Sequence, residues 1–596
     1  MNFSKVRSYL FLLMVLLSFG AKTQAGTFEF ASNSVLAQGH WVKISVTESG
    51  ICRLTYTQIS NMGFNNPSEI RVFGYGGAAL SEHFSNAHVD DLQEVPLYAG
   101  DGYFLFYAQG PFKWYDNHSG SSLPYDFTTN IYSNYGYYFV TDGAGVKKRI
   151  SERTETAVDG LSTTDIRKYI DLYKYKKDEL NYIASGKAWF GDKITKGVTS
   201  SYAFNFNDVD TTENATIFVR LAGYSTNSSS STVTLTNGDS VFQKTISYAL
   251  CNTYVRARVG TARFTFKPID TYFSLKAKFN GNYSTDAAST ERVIACVYRP
   301  LRMDGGTTFF RNYNACGTDF NARFVMKNCD ANVQIWDLSD YNNPQRVKTT
   351  FSGDSIVFTD HKEKVSREFV AVNVQSPDFI NATVVGNVSN QNLHGEQPVD
   401  LVIVTHPDFI DGAKTIARLH ENYDEMTTLI VTPEQIYNEF SSGTPDATAF
   451  RWFFKKMYED NDQKSFFVLL LGDGCYDNRG IQNTSSTKVN NYIITYQGGS
   501  ETDETASYVT DDYFGFLDDD ALVKGNANAT QRISIGRIPC SSESELDGYI
   551  NKMKTHLENK NYGKWKNKVI LLADDNELLY FSIFRSSYSQ DEFSSC

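Results

Sequence analysis

Three side chains that could take part in catalysis follow two apolar runs in the last third of the chain: His406, Asp473 and Cys475. His406 comes after the run 401–404, and the other two come after the run 466–471. The carboxyl ends of parallel strands meet at one edge of a sheet, so we expect all three side chains to line one cleft. A cysteine acts as a nucleophile there only when a base or a positive field converts its thiol to a thiolate.

The pair formed by Cys475 and His406 has two interpretations. In the first, Cys475 is a nucleophile and His406 is its general base. In the second, Cys475 is a small, half-buried residue in a tight glycine-rich turn, and His406 caps a helix that begins at Pro407. The second interpretation is favoured, because nothing in the sequence around either residue requires the first.

Acidic residues are dense in the turn after the second run and again between residues 510 and 520. Asp473 and Asp477 flank the turn, while Asp511 and Asp512 open the later stretch. Such a density of carboxylates could bind a structural calcium ion, which takes six to eight oxygen ligands. The spacing of an EF-hand and its terminal glutamate are missing, so a solvated acidic loop is favoured. The sequence suggests no other cofactor and no other metal.

Several enzyme signatures are missing from the sequence, among them the G-x-S-x-G nucleophile elbow and the phosphate-binding loop. The segment His420-Glu421-Asn422 begins like the zinc motif H-E-x-x-H but lacks the second histidine. We therefore expect His420 to lie near the carboxyl end of a helix, where the helix dipole favours it. The eight cysteines include no C-x-x-C pair, which argues against a metal site built on thiolates.

Apolar runs alternate with helical patterns between residues 400 and 575. We predict strands at 401–404, 429–431, 466–471, 533–535 and 569–572. We predict helices that begin at Pro407, at Thr444 and at Ser542, the last with a capping box to Glu545. Strands that alternate with helices indicate βαβ units and a largely parallel sheet. The strand exits at 405–406, 472–475 and 573–575 are therefore the places where a site would form.

Residues 26–395 are predicted to be mostly β-structure. The chain is rich in Tyr (37) and Phe (42), and the segments Trp41–Val46, Thr216–Arg220 and Arg263–Phe266 have the pattern of strands. We divide the chain into 1–25 as a signal peptide, 26–160 and 161–375 as β-rich domains, 376–399 as a linker or extended crossing segment, and 400–596 as an α/β domain.

The amino terminus has the features of an export signal. Lys5 and Arg7 precede the apolar stretch 9–19, and small residues end at Ala25, where cleavage is expected. A membrane anchor is the alternative, but the stretch is short for a bilayer. The net charge of −12 becomes −15 on removal of 1–25, which takes three basic residues and no acid. This negative charge argues against a nucleic-acid partner, and we expect an exported protein.

Four segments resemble, in this order, the gingipain-type (C25) cysteine peptidase family. They are DLVIVTHP at 400–407, QIYNEFSSG at 435–443, LLLGDG at 469–474 and IGRIP at 535–539. The segments Asn390–Gly395 and Asp511–Asp520, with the long β-rich region before them, narrow the resemblance to the sortases of the type IX secretion system of Bacteroidetes. The resemblance implies a β-rich amino-terminal region followed by an incomplete, caspase-like α/β domain with a parallel sheet, the partial gingipain-type peptidase domain 400–596.

The resemblance also implies a function. Such sortases are cysteine peptidases and transpeptidases at the outer-membrane surface, reached through the periplasm. They remove C-terminal sorting domains from secreted cargo proteins and attach the cargo to a lipopolysaccharide acceptor. Their implied partners are the cargo and the other outer-membrane proteins of the secretion system. The chemistry is acyl transfer through a cysteine thioester, with a histidine as general base.

The catalytic residues of the family are not carried over to this chain. In the family the catalytic His and Cys lie downstream of the segment matched by 569–575, and Cys475, Cys540 and Cys596 do not occupy the nucleophile position. We therefore expect the chain, as the amino-terminal part of such an enzyme, to be inactive alone. The alternative is a non-enzymatic cell-surface protein whose β domains bind secretion partners or cargo.

Overall fold

A computed structural model describes residues 28–86, 88–117, 123–154, 156–225, 231–237, 242–361, 366–484, 490–518, 530–559 and 563–568. Several sequence predictions lie outside these residues. They are the signal peptide 1–25, the fifth strand 569–572 with its exit 573–575, Asp519, Asp520 and Cys596.

The strands and helices of the described residues have the following bounds. The strands up to residue 141 are β1 Trp41–Val46, β2 Gly50–Thr55, β3 Arg71–Phe73, β4 Tyr98–Gly100, β5 Tyr103–Ala108, β6 Phe112–Asp116, β7 Tyr125–Thr129 and β8 Gly136–Thr141. Those up to residue 300 are β9 Glu152–Arg153, β10 Ser162–Ile166, β11 Lys168–Tyr175, β12 Gly191–Thr195, β13 Thr199–Asn205, β14 Ala215–Tyr224, β15 Ser231–Asn237, β16 Phe242–Tyr248, β17 Arg258–Phe266, β18 Tyr272–Asn280 and β19 Ala287–Pro300.

The later elements include nearly all of the helical structure. The strands are β20 Thr307–Arg311, β21 Phe320–Met326, β22 Val333–Asp337, β23 Gln345–Val347, β24 Thr350–Ser352, β25 Ser355–Asp360, β26 Glu368–Asn373, β27 Ile380–Asn381, β28 Thr383–Val388, β29 Leu401–Thr405, β30 Thr428–Val431, β31 Phe467–Leu471, β32 Tyr496–Gly499, β33 Ser507–Thr510 and β34 Ser534–Ile538. The α-helices are α1 Tyr56–Asn61, α2 Ile410–Tyr423, α3 Pro433–Phe440, α4 Ala447–Asp460 and α5 Glu543–Leu557.

The first sandwich is formed by two four-stranded sheets, with strand orders β28-β1-β8-β3 and β27-β2-β5-β4. Apolar residues that alternate along the strands, such as Ile44 and Phe106, point into the core between the sheets. All six residues of β5 are buried, because its other face packs on a neighbouring sheet through Leu105, Trp336 and Val370. The sheet that contains β5 is therefore covered on both faces at this strand.

Two further sandwiches are nested inside the first. The second sandwich consists of β11–β19, in the orders β11-β19-β14-β17 (with β12 on β19) and β13-β18-β15-β16. It is inserted between strands of the third sandwich, whose sheets are β10-β21-β25-β24 and β20-β26-β22-β23-β9. After the third sandwich, β27 and β28 return to the first. The strand pairing thus groups residues 152–166 with 307–373, and 380–388 with 41–141.

The α/β domain follows, and its sheet is parallel with the order β30-β29-β31-β34. Alternate residues of β29 face opposite sides: Val402 and Val404 pack with α3 and α4, while Leu401 and Ile403 pack with α2 and α5. Both faces are covered, which is why these strands are continuous apolar runs. The expected β-rich region followed by an α/β domain with a parallel sheet is confirmed.

The core of the α/β domain includes residues of the first sandwich region. Phe84 packs on Trp452 of α4 with ring centroids 4.6 Å apart, and Phe28 approaches the same indole at 4.8 Å. His88 stacks on it at 3.9 Å. The two parts of the molecule therefore share one hydrophobic core. Among the described residues, no helix has the length and apolar character needed to cross a membrane.

Candidate functional site

The exits of β29, β31 and β34 lie side by side at one edge of the parallel sheet. The register pairs Thr405 with Leu471 and Leu471 with Ile538. Beyond β31 the backbone continues this pairing, since the N–H of Gly472 donates to the carbonyl of Ile538 at 3.0 Å. We call the segments 405–406, 472–475 and 539–540 the strand-exit edge. Both predicted exits that fall in the described residues therefore belong to one surface.

Cys475 is half-buried in the turn after β31. Its backbone N–H donates to Asn491 at 3.2 Å, and its carbonyl accepts from the hydroxyl of Thr495 at 3.2 Å. Its sulfur accepts the N–H of Asp477 at 3.4 Å. Burial raises the pKa of the thiol above its usual value, so the environment favours the thiol over the nucleophilic thiolate.

His406 is the N-cap of a single helical turn, Pro407–Phe409, that leads into α2. Its Nδ1 accepts the N–H of Asp408 at 3.3 Å, and its ring meets Tyr492 edge-on at 5.1 Å. Among the described residues no hydrogen bond joins His406 to Cys475. The geometry agrees with the capping interpretation of His406, and the proposal that both line a cleft stays a prediction.

Asp473 organises the backbone of the same turn. Its N–H donates to the carbonyl of Cys540 at 3.0 Å, and its own carbonyl accepts from the N–H groups of Tyr492 (3.0 Å) and Ile493 (3.1 Å). Its carboxylate accepts the N–H of Gly474 at 2.9 Å. Asp473 therefore links the exits of β31 and β34 to the segment 490–495.

Arg537 of β34 holds the strand-exit edge together, a role that was not predicted from the sequence. Its guanidinium forms a two-pronged ion pair with Asp511, with both N–O distances at 2.8 Å. It also donates to the carbonyls of Gly472 (3.0 Å), Ile493 (3.1 Å) and Ile494 (3.0 Å). The sequence signal that could have identified Arg537 was its place inside the IGRIP segment, which follows the acidic stretch 510–520 along the chain.

Several acidic residues in the two stretches considered for calcium have protein donors as partners. Asp511 pairs with Arg537, and Asp518 pairs with Arg532 at 2.8 Å. Asp477 is buried and accepts the N–H groups of Ile481 and Gln482, at 2.9 and 2.7 Å. These bonds give Asp477, Asp511 and Asp518 structural roles in the protein.

A buried cluster joins the first sandwich region to α3 through His394. Its Nδ1 lies 2.6 Å from Glu439 and its Nε2 lies 3.0 Å from Asp90. Burial opposes a charge on the ring, but these two bonds outweigh it and raise the pKa of His394 to about 9. Asp91, His394 and Glu439 each place a ligand-type atom within 4.8 Å of the others. Both ring nitrogens are already committed, so the cluster is an ionic clasp between domains.

A family model and a solved structure both match this chain. Residues 394–594 match the model of peptidase family C25. The crystal structure of dimeric latent PorU from Porphyromonas gingivalis is 27% identical in sequence and superposes with a TM-score of 0.80. The match covers 92% of this chain and 52% of that one. The chain thus spans about half the length of the PorU chain that it matches.

Two other solved structures superpose poorly on this chain. The infectious bursal disease virus VP2 subviral particle is 9% identical over 58% of this chain and 83% of that chain, with a TM-score of 0.16. The Bacillus thuringiensis delta-endotoxin Cry8Ea1 is 10% identical over 46% of this chain and 55% of that chain, with a TM-score of 0.15. No curated protein sequence matches the chain.

Proposed function

Because residues 394–594 match the model of peptidase family C25, we propose that this chain is the amino-terminal portion of a type IX secretion system sortase. Such an enzyme is exported through the periplasm to the outer-membrane surface. It removes the C-terminal sorting domain from secreted cargo and attaches the cargo to lipopolysaccharide. Its partners are the cargo proteins, the lipopolysaccharide acceptor and the other outer-membrane components of the secretion system.

The observation that carries this proposal is the shared order of modules. Similarity to PorU extends over 92% of the chain and therefore includes the three nested sandwiches as well as the α/β domain. A likeness confined to the peptidase segment would support only a C25 peptidase, since one domain serves many functions. The nested β-structure in front of the peptidase domain is what favours a sortase within that family.

The proposed reaction is an acyl transfer in two steps. A cysteine thiolate attacks the carbonyl carbon of the peptide bond before the sorting domain, and a thioester forms. The C–N bond breaks, and the departing amine takes a proton from the general acid. A nucleophile on the acceptor then attacks the thioester, loses its proton and frees the thiolate. In this chain the strand-exit edge is the framework beside which the reacting groups would lie, and no residue of the chain is assigned to the dyad.

Deletion of the gene that encodes this chain tests the proposal in the native cell. The carboxyl termini of exported proteins would be read by mass spectrometry. We expect cargo in the deletion strain to keep its C-terminal sorting domain and to leave the cell surface, and we expect the intact gene to restore processing. Cargo that is processed normally in the deletion strain would overturn the proposal.

The same experiment distinguishes the proposed sortase from the non-enzymatic alternative. If the β domains only bind cargo or secretion partners, cargo would be cleaved normally while its amount at the surface falls. Surface labelling with a reagent that does not enter cells measures that amount. Cleaved but displaced cargo would therefore favour a binding protein over a peptidase.

A further inference from the structure

The hairpin of β32 and β33 starts and ends at the strand-exit edge. It follows the segment 490–495, in which the carbonyls of Ile493 and Ile494 accept from Arg537. After the hairpin the chain continues into Asp511, which pairs with the same guanidinium. Both strands of the hairpin are therefore joined, within two residues of their ends, to groups that Arg537 holds in place.

The hairpin tip, residues 500–506, contacts the second sandwich in the loop between β16 and β17. An isolated antiparallel bridge joins Val255 of this loop to Asp503. Two backbone hydrogen bonds flank the bridge, at 2.8 and 3.0 Å, and connect residues 254–256 to residues 502–504. The tip is thus paired with the second sandwich as a very short strand.

Two ion pairs strengthen this contact. Arg220 pairs with Glu501 at 2.9 Å, and Arg256 pairs with Glu504 at 2.7 Å. The four side chains are between 23% and 41% exposed, so salt screens their attraction. The hairpin tip contains no large apolar side chain. A polar contact of this kind between parts of one chain can separate without exposing a hydrophobic surface.

The base of the hairpin is held differently. Tyr496 stacks on Tyr513 with ring centroids 3.7 Å apart, and Tyr513 is buried in the core of the α/β domain. Ser185 of the second sandwich donates to Gln497 at 3.1 Å and accepts from Ser507 at 2.8 Å, so the contacts along the hairpin are polar as well. The hairpin therefore has an apolar anchor in the α/β domain and polar contacts with the second sandwich.

We propose that the second sandwich controls the strand-exit edge through this hairpin, whose tip has a docked and an undocked state. The docked tip keeps the segment 490–495 and Asp511 in position for Arg537. When the tip undocks, these groups lose one of their supports and the edge opens more often. The coupling itself requires no peptidase activity, whereas its consequence for the processing of cargo rests on the proposed function.

Hydrogen–deuterium exchange on the 596-residue chain tests this coupling. The reporters are the N–H groups of Tyr492 and Ile493, which donate to the carbonyl of Asp473 and lie outside the tip contact. The double variant Glu501→Gln, Glu504→Gln removes both ionic contacts and keeps the size of the side chains. We expect the reporters to exchange at least about threefold faster in this variant.

The matched control is the double variant Glu152→Gln, Asp165→Asn in the third sandwich. It removes the carboxylates from comparably exposed ion pairs with Arg346 and Arg323, and it should leave the reporters unchanged. Equal reporter rates in the hairpin variant and the control, when the N–H groups of Arg256 and Glu504 exchange faster in the hairpin variant, would overturn the proposal. The tip would then undock without any effect on the edge.

A disulfide across the bridge provides the opposite change. The flanking hydrogen bonds make Val255 and Asp503 a non-hydrogen-bonded pair, with Cα atoms about 4.5 Å apart, which a disulfide can span. With Val255→Cys and Asp503→Cys oxidised, we expect slower reporter exchange than after reduction by dithiothreitol. The oxidised form should also lose the dependence on salt that the wild type shows between about 0.1 and 1 M NaCl. Equal reporter rates in the oxidised and the reduced form would overturn the proposal.

Discussion

The side chain of Arg537 connects several segments of the strand-exit edge through hydrogen bonds. The carbonyls that it contacts, in Gly472, Ile493 and Ile494, belong to loops that no regular strand pairing could satisfy. A buried carbonyl without a donor costs free energy. An arginine reaches several acceptors at once because its donors are arranged in a planar fork. A lysine at this position would satisfy fewer of them.

The first prediction concerns this guanidinium. We expect Arg537→Met to destabilise the α/β domain by about 3 kcal/mol, because it leaves Asp511 and three carbonyls without their donor. Thermal unfolding and trypsin cleavage between residues 472 and 495 measure the effect. Arg532→Met is the matched control: it removes a more exposed pair with Asp518 and should destabilise the domain much less than Arg537→Met does. Equal losses for the two variants would contradict this role.

The second prediction concerns the reactivity of Cys475. Because burial raises the pKa of its thiol, we expect iodoacetamide to modify it more slowly at neutral pH than it modifies an unstructured cysteine peptide. Mass spectrometry identifies the adduct, and Cys475→Ala removes it. Rapid labelling of Cys475 that a cargo peptide suppresses would instead show an activated nucleophile.

At the scale of elements, the segment 389–395 and helix α3 form the clasp around His394. Glu439 of α3 is buried and accepts the N–H groups of Leu393 at 2.8 Å and His394 at 3.0 Å. Asp90, from the other side, accepts from the same ring. The cluster therefore connects the first sandwich region to the α/β domain through a single imidazolium.

The third prediction is a pH dependence of this clasp. The pKa of His394 is about 9 in the folded chain and about 6.5 when unfolded. Its stabilisation is complete below pH 6.5 and is lost as the pH rises through 9, a loss of about 3 kcal/mol. Of the neighbouring groups, burial lowers the pKa of His88 to about 3 and raises that of Asp91 to about 6. The carboxylates of Asp90 and Glu439 complete the set that faces the ring.

Urea unfolding between pH 7 and pH 10 measures this effect. At pH 7 the free energy of unfolding of His394→Gln should be lower than that of the wild type. It should not show the wild-type decrease between pH 7 and pH 10, so the difference between the two proteins should shrink at high pH. His420→Gln is the control, because His420 pairs with Asp424 on the surface of α2. A constant difference between wild type and His394→Gln across this range would refute the prediction.

The elements of the α/β domain differ in how well local sequence predicts them. The runs at 401–404 and 466–471 correspond to β29 and β31, because strands buried on both faces are almost entirely apolar. Helix α3 was missed, although Thr432 and Gln435 form a capping box at its start. The hairpin of β32 and β33 was also missed, since its residues are mixed in polarity and pack on the second sandwich.

The nesting of the sandwiches could not be read from local patterns. β1 was predicted with its observed bounds, but its partner β28 lies more than three hundred residues further along the chain. The segment 376–399 looked like a linker or crossing segment because β27 has only two residues and β28 is largely exposed at the edge of its sheet. The pairing between strands that are distant in sequence is visible only in the three-dimensional structure. Of the site, the positions of the strand exits followed from the sequence, whereas Arg537 and the His394 clasp did not.

At the scale of the whole molecule, the α/β domain and the first sandwich region form one folding unit. Phe84 is 6% exposed, and Arg451 and Lys455 of α4 lie over its ring at 4.3 and 4.9 Å. The backbone N–H of Leu80 donates to Asp446 at the start of the same helix, at 2.9 Å. Loss of either part would expose the apolar surface of the other.

The fourth prediction follows from this shared core. We expect Phe84→Ala to destabilise the chain by about 3–5 kcal/mol, because it removes a buried ring from contact with Trp452. The α/β domain should then become sensitive to limited proteolysis. Phe351→Ala is the control, since Phe351 is 49% exposed and should cost less than about 0.5 kcal/mol. An α/β domain that stays resistant in Phe84→Ala would show that the two parts are independent.

Cleavage of cargo by outer membranes that contain the protein is the most direct test of the proposed sortase activity. A purified cargo protein with its C-terminal sorting domain would be incubated with these membranes and with membranes from the deletion strain, and its mass recorded. We expect loss of the sorting domain only in the first sample, and inhibition of this cleavage by prior alkylation of thiols. Cargo that stays intact in the first sample, or that is cleaved equally by both, would contradict it.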